Sequence, residues 1–324
     1  MECKGKLGEG AYGCVYTPPA RCIGEKRVSP KKKLVGKIFG RSDLALDEKR
    51  IMEILSEIDP DGEFTIPLRA SCQIAPTPSL KANCTHAQTA DGPMTQLVYE
   101  YKGVDLCSFM KTERYDILDH LEGILNVARG LASLSAAGYA HRDMKPPNVM
   151  VHGGTMFLTD FGLMIPFDRM YDKDQDYVLG FNYEYYPPEF KVYYDLKIAN
   201  SPLSNITDVK AFLINDVRAN YTQSENLIRL KDIERTVVDL LTTFKTSSLL
   251  EATLETHASK VDMFGFGMIF TKMFVRSEKT KKRDKALKRL YTLLERCVDP
   301  NPFTRIHPDD CVKELLILTK LVVK

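Results

Sequence analysis

The chain has 324 residues, 44% hydrophobic and 27% charged, with a formal net charge of +2. No stretch approaches the ~18 consecutive apolar residues of a membrane span, and so small a net charge argues against a nucleic-acid partner. The polar, glycine-rich first ten residues argue against a secretory signal. Eight scattered cysteines without a C-x-x-C pair or zinc spacing predict free thiols in a reducing compartment, hence a soluble, cytoplasmic protein. Two basic runs, Lys31 to Lys33 and Lys279 to Arg289, read as solvated faces before they read as docking patches.

Short β-like runs occupy Lys6 to Tyr16 and Lys33 to Phe39, separated by a Pro- and Lys-rich loop. Leu44, Ile51, Ile54, Leu55 and Ile58 recur at helical spacing and stop before Asp59-Pro60. Arg69 to Ile74 reads as a strand, Ala75 to Met94 as an exposed loop rich in Pro, Thr and Ala, and Gln96 to Tyr101 as the last strand of this half. From Tyr115 onward helices dominate. Leu118, Leu121, Leu125, Val127, Leu131 and Leu134 predict a buried helix ending at Gly138, and further helical patterns cover Val261–Phe274, Lys285–Cys297 and Val312–Val323. The expected layout is a small strand-rich lobe followed by a larger helical one.

Four clusters carry chemistry. Gly8-Glu9-Gly10-Ala11-Tyr12-Gly13-Cys14-Val15 has three glycines at a spacing that lets backbone approach phosphates. The same spacing opens dinucleotide sites, but those need a helix directly afterwards, and here Pro18-Pro19 follow a strand-like Val15-Tyr16. Lys37 on a strand is ordinarily just exposed; a phosphate-holding role needs a carboxylate partner, and Glu48 in the next helix is either that partner or a surface acid. His141-Arg142-Asp143-Met144-Lys145-Pro146-Pro147-Asn148 packs a base, two cations and an amide oxygen into one loop after a buried helix. Asp160 in Asp160-Phe161-Gly162 ends an apolar run about a dozen residues later and suits a hard cation such as Mg²⁺.

In this order the clusters resemble the eukaryotic protein kinase family from about Lys6 to the C-terminus. The resemblance implies a bilobal α+β fold: residues 1–101 form a small antiparallel-sheet N-lobe with one helix and 102–324 a helical C-lobe, with ATP in the cleft between them. It implies that Gly8, Gly10 and Gly13 cover the ATP phosphates with Val15 and Val35 beside the nucleotide. Lys37, steadied by Glu48, would hold the α- and β-phosphates. Asp143 would be the catalytic base, Lys145 the γ-phosphate contact, and Asn148 and Asp160 the Mg²⁺ ligands. Leu97 to Tyr101 resembles the hinge, with Tyr99 as gatekeeper and main-chain groups of Glu100, Tyr101 and the next residue facing adenine. Tyr186-Pro187-Pro188-Glu189 resembles the end of the activation segment, and Asp262 to Gly267 the buried helix that anchors the catalytic loop.

Several features depart from the family. Val35 replaces alanine, Pro187 alanine and Phe264 tryptophan. Arg305 is the expected partner of Glu189, in a segment from Asp299 about two residues longer than usual. An inserted segment spans about 195–258, in which Ile228, Leu230, Ile233, Val237, Val238, Leu241 and Phe244 predict an amphipathic helix. Little room remains for a helix between Phe274 and Lys285, so the insert is expected to cover the surface thus exposed, or to offer a face to a protein partner. Gly10 to Cys22 and Tyr185 to Glu189 also resemble kinases of large cytoplasmic DNA viruses, which would place the protein in host cytoplasm or virion.

The implied function is transfer of the γ-phosphate of Mg-ATP to Ser/Thr of protein substrates. Lys145 two residues after Asp143 favours Ser/Thr, while Asn182 stands where such kinases usually have threonine. The alternatives are a non-catalytic pseudokinase module and a small-molecule kinase. Between Asp160 and Glu189 there is no serine or threonine. One of Asp172, Asp174 or Asp176 is therefore expected to take the place of an activating phosphate beside Arg142, with Tyr171 or Tyr177 phosphorylation as the alternative switch.

Overall fold

A computed structural model describes residues 6–10, 12–24, 33–171, 183–197, 230–243, 247–278 and 284–322. The chain divides into two compact units, Met1–Gly103 and Val104–Lys324.

In the first unit, β1 (Lys6–Glu9), β2 (Gly13–Tyr16), β3 (Leu34–Phe39), β4 (Leu68–Ile74) and β5 (Met94–Glu100) form one sheet in the order β1-β2-β3-β5-β4. Its pairs are antiparallel throughout, and Lys37 lies opposite both Val15 and Leu97. Helix α1 (Ser42–Ile58) packs Ala45, Met52 and Leu55 inward and contacts β3 and β5. It stops at Asp59, whose carboxylate accepts the main-chain N–H groups of Glu63, Phe64 and Thr65 at 2.8–3.1 Å and so closes the turn that a helix could not continue. Gly36 carries no side chain because the buried Gln96 amide crosses there to bond both main-chain groups of Ala20.

Two expectations fail in this unit. Ala75 to Met94 is not an exposed loop: it contains helix α2 (Pro78–Asn83), capped by Thr77, and a 3-10 turn at Thr85–Ala87. Leu80, Cys84, Ala87 and Met94 are buried with Cys14, Tyr16, Ile38 and Ile74, so the unit has a second small core and a second helix. Nor are all the cysteines free thiols. Cys14–Cys84 and Cys22–Cys72 are disulfides, joining residues 70 and 50 apart in sequence. The sheet brings them together: Cys22 bridges to Ile74 beside β4, and α2 folds back over β2. Among the described residues, Cys107, Cys297 and Cys311 are thiols.

The second unit is mainly helical: α3 (Leu106–Thr112), α4 (Leu121–Ala136), α5 (Pro188–Lys197), α6 (Leu230–Thr243), α7 (Ser247–Glu255), α8 (Val261–Arg276), α9 (Asp284–Cys297) and α10 (Pro308–Val322). Short strands β6 (Val104–Asp105), β8 (Val149–His152) and β9 (Thr155–Leu158) form one sheet, and β7 (Tyr139–Ala140) pairs with β10 (Ile165–Pro166). Helix α8 is largely apolar and accordingly central, buried from Val261 to Thr271 without a break, Asp262 included. A Cβ at Gly265 would meet Met144 of the loop after β7, so this glycine admits that loop against the helix. A small antiparallel-sheet unit followed by this helical unit is the protein-kinase fold, α+β in class.

The insert is part of the core. Helices α6 and α7 both pack on α5. Ile233, Val237, Leu240, Leu250 and Leu254 are buried together with Tyr186, Phe190, Tyr193, Ala258 and Val261. The face it covers is therefore α5 and the chain entering α8. The predicted amphipathic helix forms over Leu230–Thr243, while Ile228 and Phe244 lie outside the described residues.

Candidate active site

The loop after β7 is suspended from α8. The buried carboxylate of Asp262 accepts the main-chain N–H of His141 at 2.6 Å and of Arg142 at 2.8 Å. Burial pushes its pKa up, against the lowering effect of His141, Arg142 and the two N–H groups. The His141 ring bonds the Thr159 carbonyl at 3.1 Å and lies 4.6 Å from the Phe161 ring, tying this loop to the residues around Asp160.

Within the loop, Asp143, Lys145 and Asn148 form one cluster. Lys145 Nζ donates to Asp143 Oδ2 at 2.7 Å. Asn148 Nδ2 donates to the same oxygen at 2.9 Å and to the Asp143 carbonyl at 2.8 Å. With its N–H groups so committed, the Asn148 side chain has its oxygen as the atom that could face a cation. Thr159 N donates to the Asn148 carbonyl at 3.0 Å, which places Asp160 one residue from that contact. Among the described residues, Arg142 (φ 62°) and Asp160 (φ 61°) are the non-glycine residues with left-handed backbone. Such conformations cost free energy and tend to collect where side-chain direction matters more than stability.

In the first unit, the turn between β1 and β2 closes with Gly10 N donating to the Gly13 carbonyl at 2.9 Å. The glycines differ in purpose. A Cβ at Gly13 would collide with the Ile38 carbonyl, so that glycine serves sheet packing. At Gly8 and Gly10 a Cβ would meet open space, leaving bare backbone that a phosphate can approach. Lys37 and Glu48 form an ion pair, and the phenol of Tyr99 donates to the second Glu48 oxygen at 2.8 Å. Val15 and Val35 are half-buried on β2 and β3. Glu100 accepts from Arg69 at 2.6 Å, and the Tyr101 N–H donates to the Lys33 carbonyl at 2.9 Å while the Lys33 ammonium sits 3.7 Å above the Tyr101 ring. Lys6 first, then Thr85, holds the Glu9 carboxyl down at about 2.

These residues suit Mg-ATP. An amide oxygen and a carboxylate, Asn148 and Asp160, are hard donors of the kind Mg²⁺ takes. Beyond this set, Glu189 forms a two-bond ion pair with Arg305 at 2.6 and 2.9 Å, the side chains 1% and 0% exposed. The longer segment before Arg305 supports the pair, because the Asp299 and Pro300 carbonyls accept from the same guanidinium. Tyr171 is buried against Phe190 and Tyr193. Asp172, Asp174, Asp176, Tyr177 and Asn182 lie outside the described residues. Sequence reasoning missed the Tyr99–Glu48 bond, the Asp59 turn and the Gln96 bridge; a polar residue among strand-core positions was the available signal for Gln96.

Residues 70–212 match the family described as protein tyrosine and serine/threonine kinase. Mitogen-activated protein kinase 4 of Oryza sativa subsp. japonica is 31% identical over 159 residues, covering 48% of this chain and 38% of that protein. Cyclin-dependent kinase B2-1 of the same plant is 26% identical over 166 residues, covering 49% of this chain and 46% of that protein. Fibroblast growth factor receptor 1 of Dugesia japonica is 27% identical over 187 residues, covering 54% of this chain and 20% of that protein. The chain thus spans less than half the length of these relatives. The matches are to eukaryotic-type protein kinases, and the family description embraces both tyrosine and serine/threonine enzymes.

Proposed function

We propose that the chain is an active protein kinase that transfers the γ-phosphate of Mg-ATP to serine or threonine hydroxyls of protein substrates. The observation that carries this reading is the Asp143–Lys145–Asn148 cluster, held on a loop anchored by Asp262. Asp143 accepts the proton of the substrate hydroxyl as that oxygen bonds the γ-phosphorus and the bond to the β-phosphate oxygen breaks, releasing ADP. Lys145 neutralises charge on the moving phosphoryl group. Lys37, oriented by Glu48, holds the α- and β-phosphates, and the backbone at Gly8 and Gly10 lies along them. Val15, Val35, Tyr99 and main-chain groups of Glu100 and its neighbours receive the adenosine end. Asn148 and Asp160 would hold Mg²⁺, which would supply charge neutralisation to the phosphate oxygens. Most of the acceleration comes from alignment and charge, with little covalent chemistry asked of the protein.

Serine/threonine preference rests on Lys145 following Asp143 by two residues. A pseudokinase reading is disfavoured by the presence of Lys37, Glu48, Asp143, Asn148 and Asp160 together. A small-molecule kinase is disfavoured by the segment ending in Pro187-Pro188-Glu189 with its buried Arg305 partner. The cytoplasmic placement inferred from free thiols loses that support, since four cysteines are paired; a viral source rests on the two sequence stretches alone. Labelled ATP offered with casein, a basic protein and small alcohols tests the proposal. Label must enter protein, on serine or threonine, and vanish in Asp143→Asn; label entering only alcohols, or none with the wild type, overturns it.

A further inference from the structure

Strand β1 and the turn after it, carrying Gly8 and Gly10, are attached to the segment Asn83–His86 at four points. The Lys6 ammonium donates to the Asn83 carbonyl at 2.7 Å. Glu9 accepts the Thr85 N–H at 2.9 Å and bonds the Thr85 hydroxyl as well. The His86 ring Nε2–H donates to the Gly10 carbonyl at 2.9 Å. Cys84 is disulfide-bonded to Cys14, the residue directly after Gly13. The contacts bracket the two bare glycines on both sides. Those glycines have no side chain to fix them, and glycine loses more backbone freedom on ordering than any other residue. A turn that must be ordered by its ligand binds that ligand more weakly than one ordered beforehand. The brace also rests on the fold: α2 and the 3-10 turn behind it are anchored by Leu80, Cys84 and Ala87 in the small core.

We propose that Asn83–His86 is a brace that holds the Gly8–Gly13 turn ready for the nucleotide phosphates, and that the Cys14–Cys84 disulfide fastens it. Nucleotide affinity then depends on the oxidation state of this cysteine pair. The inference rests on the kinase reading above. Reduction by a small dithiol transfers two electrons and two protons to the pair, giving two thiols and the cyclic disulfide of the reductant. Both cysteines are buried, so this exchange proceeds when the segment opens. Loss of the fastener leaves the brace joined to the turn through hydrogen bonds, without a covalent tie. The Cys22–Cys72 disulfide joins the chain after β2 to β4 and touches none of the four attachments, so it serves as the control.

The test measures binding of a non-hydrolysable ATP analogue with Mg²⁺, and KM for ATP against kcat, on the whole chain. His86→Ala, and separately the pair Cys14→Ser/Cys84→Ser, are expected to weaken analogue binding and raise KM about fivefold or more, the equivalent of one hydrogen bond. Turnover at saturating ATP should fall far less. His86→Gln, whose amide N–H reaches the same carbonyl, should recover much of the affinity, and Cys22→Ser/Cys72→Ser should retain it. Dithiol reduction of the wild type should reproduce the Cys14→Ser/Cys84→Ser result. If that pair fails to fold, His86→Ala decides, because it removes one surface contact only. Wild type that binds the analogue with His86→Ala equally tight overturns the brace and leaves the kinase reading standing. Oxidised wild type that binds no nucleotide overturns both.

Discussion

Tyr99 and Glu48 share a hydrogen bond of 2.8 Å, which pins the Glu48 carboxylate through the oxygen that Lys37 does not bind. A carboxylate held only by a lysine can follow that flexible side chain; one that also accepts from a strand phenol is fixed relative to the sheet. Tyr99 lies opposite Val35 on β3, two residues from Lys37, so helix α1 and strands β3 and β5 converge on one ion pair.

Lys37→Met is expected to reduce phosphate transfer at least ~100-fold, and Glu48→Gln to cost activity without unfolding the domain. Tyr99→Phe should cost about tenfold or more in kcat/KM, since it removes one bond to a charged group. Combining Lys37→Met with Glu48→Gln should cost little more than the first change alone, because the pair acts as a unit. Steady-state kinetics on the three single variants and the double variant check this; fully multiplicative losses would show that the residues act independently.

Asp143→Asn should reduce turnover by about 10²–10⁴ while leaving nucleotide affinity nearly unchanged. Asp160→Asn should weaken Mg-nucleotide binding and turnover together. Asp262→Ala differs from both: it strands two buried N–H groups, so stability should fall by about 1–3 kcal/mol along with turnover. Calorimetric unfolding beside single-turnover kinetics separates a lost base from a loosened loop.

The clustering of Asp143, Lys145 and Asn148 was legible because the three lie within six positions of one another. Asp143, Lys145 and Asn148 can reach one another only within a short Pro-containing turn. Helix α6 was legible because its apolar positions recur every three or four residues over a long stretch. Helix α2 was not: six residues starting with proline carry too little periodicity, and polar neighbours mask Leu80 and Cys84. The disulfides were illegible for a different reason. Cys14 meets Cys84 only through the order of the strands and the fold-back of α2, which no local spacing encodes. The Glu189–Arg305 pair lay between these cases, since both residues were visible but the length of the intervening turn obscured their meeting.

The insert should respond to core substitutions as a core does. Ile233→Ala is expected to lower stability by about 2–5 kcal/mol, because the side chain is wholly buried among α5 and α7 residues. Deleting Asn200 to Ser248 removes Ile233, Val237 and Leu240, uncovering Phe190 and Tyr193, and should produce aggregation. Denaturant titration and light scattering are the measurements; a deletion variant as stable as the wild type would make the insert an appendage.

Tyr171 should not act as a phosphorylation switch in the folded protein. It is 2% exposed, wedged against Phe190 and Tyr193, and burial raises its pKa. Protein produced in bacteria and treated with a broad phosphatase should keep its activity, and mass spectrometry after incubation with a tyrosine kinase should find Tyr171 unmodified. Stoichiometric modification of Tyr171 with the fold intact would contradict its placement.

The Glu189–Arg305 pair has a consequence for how this sequence can diverge. Each side chain is sealed from water and answers the other's charge, so losing either one alone leaves an uncompensated buried ion at a cost of about 3–5 kcal/mol. That is a large part of a domain's stability, and a single change would be purged before its partner could follow. Replacing both by apolar residues of similar volume would be nearly neutral, yet the intermediate step is closed. Among descendants of this chain, positions 189 and 305 should therefore stay fixed together through long periods in which the surface around them drifts freely.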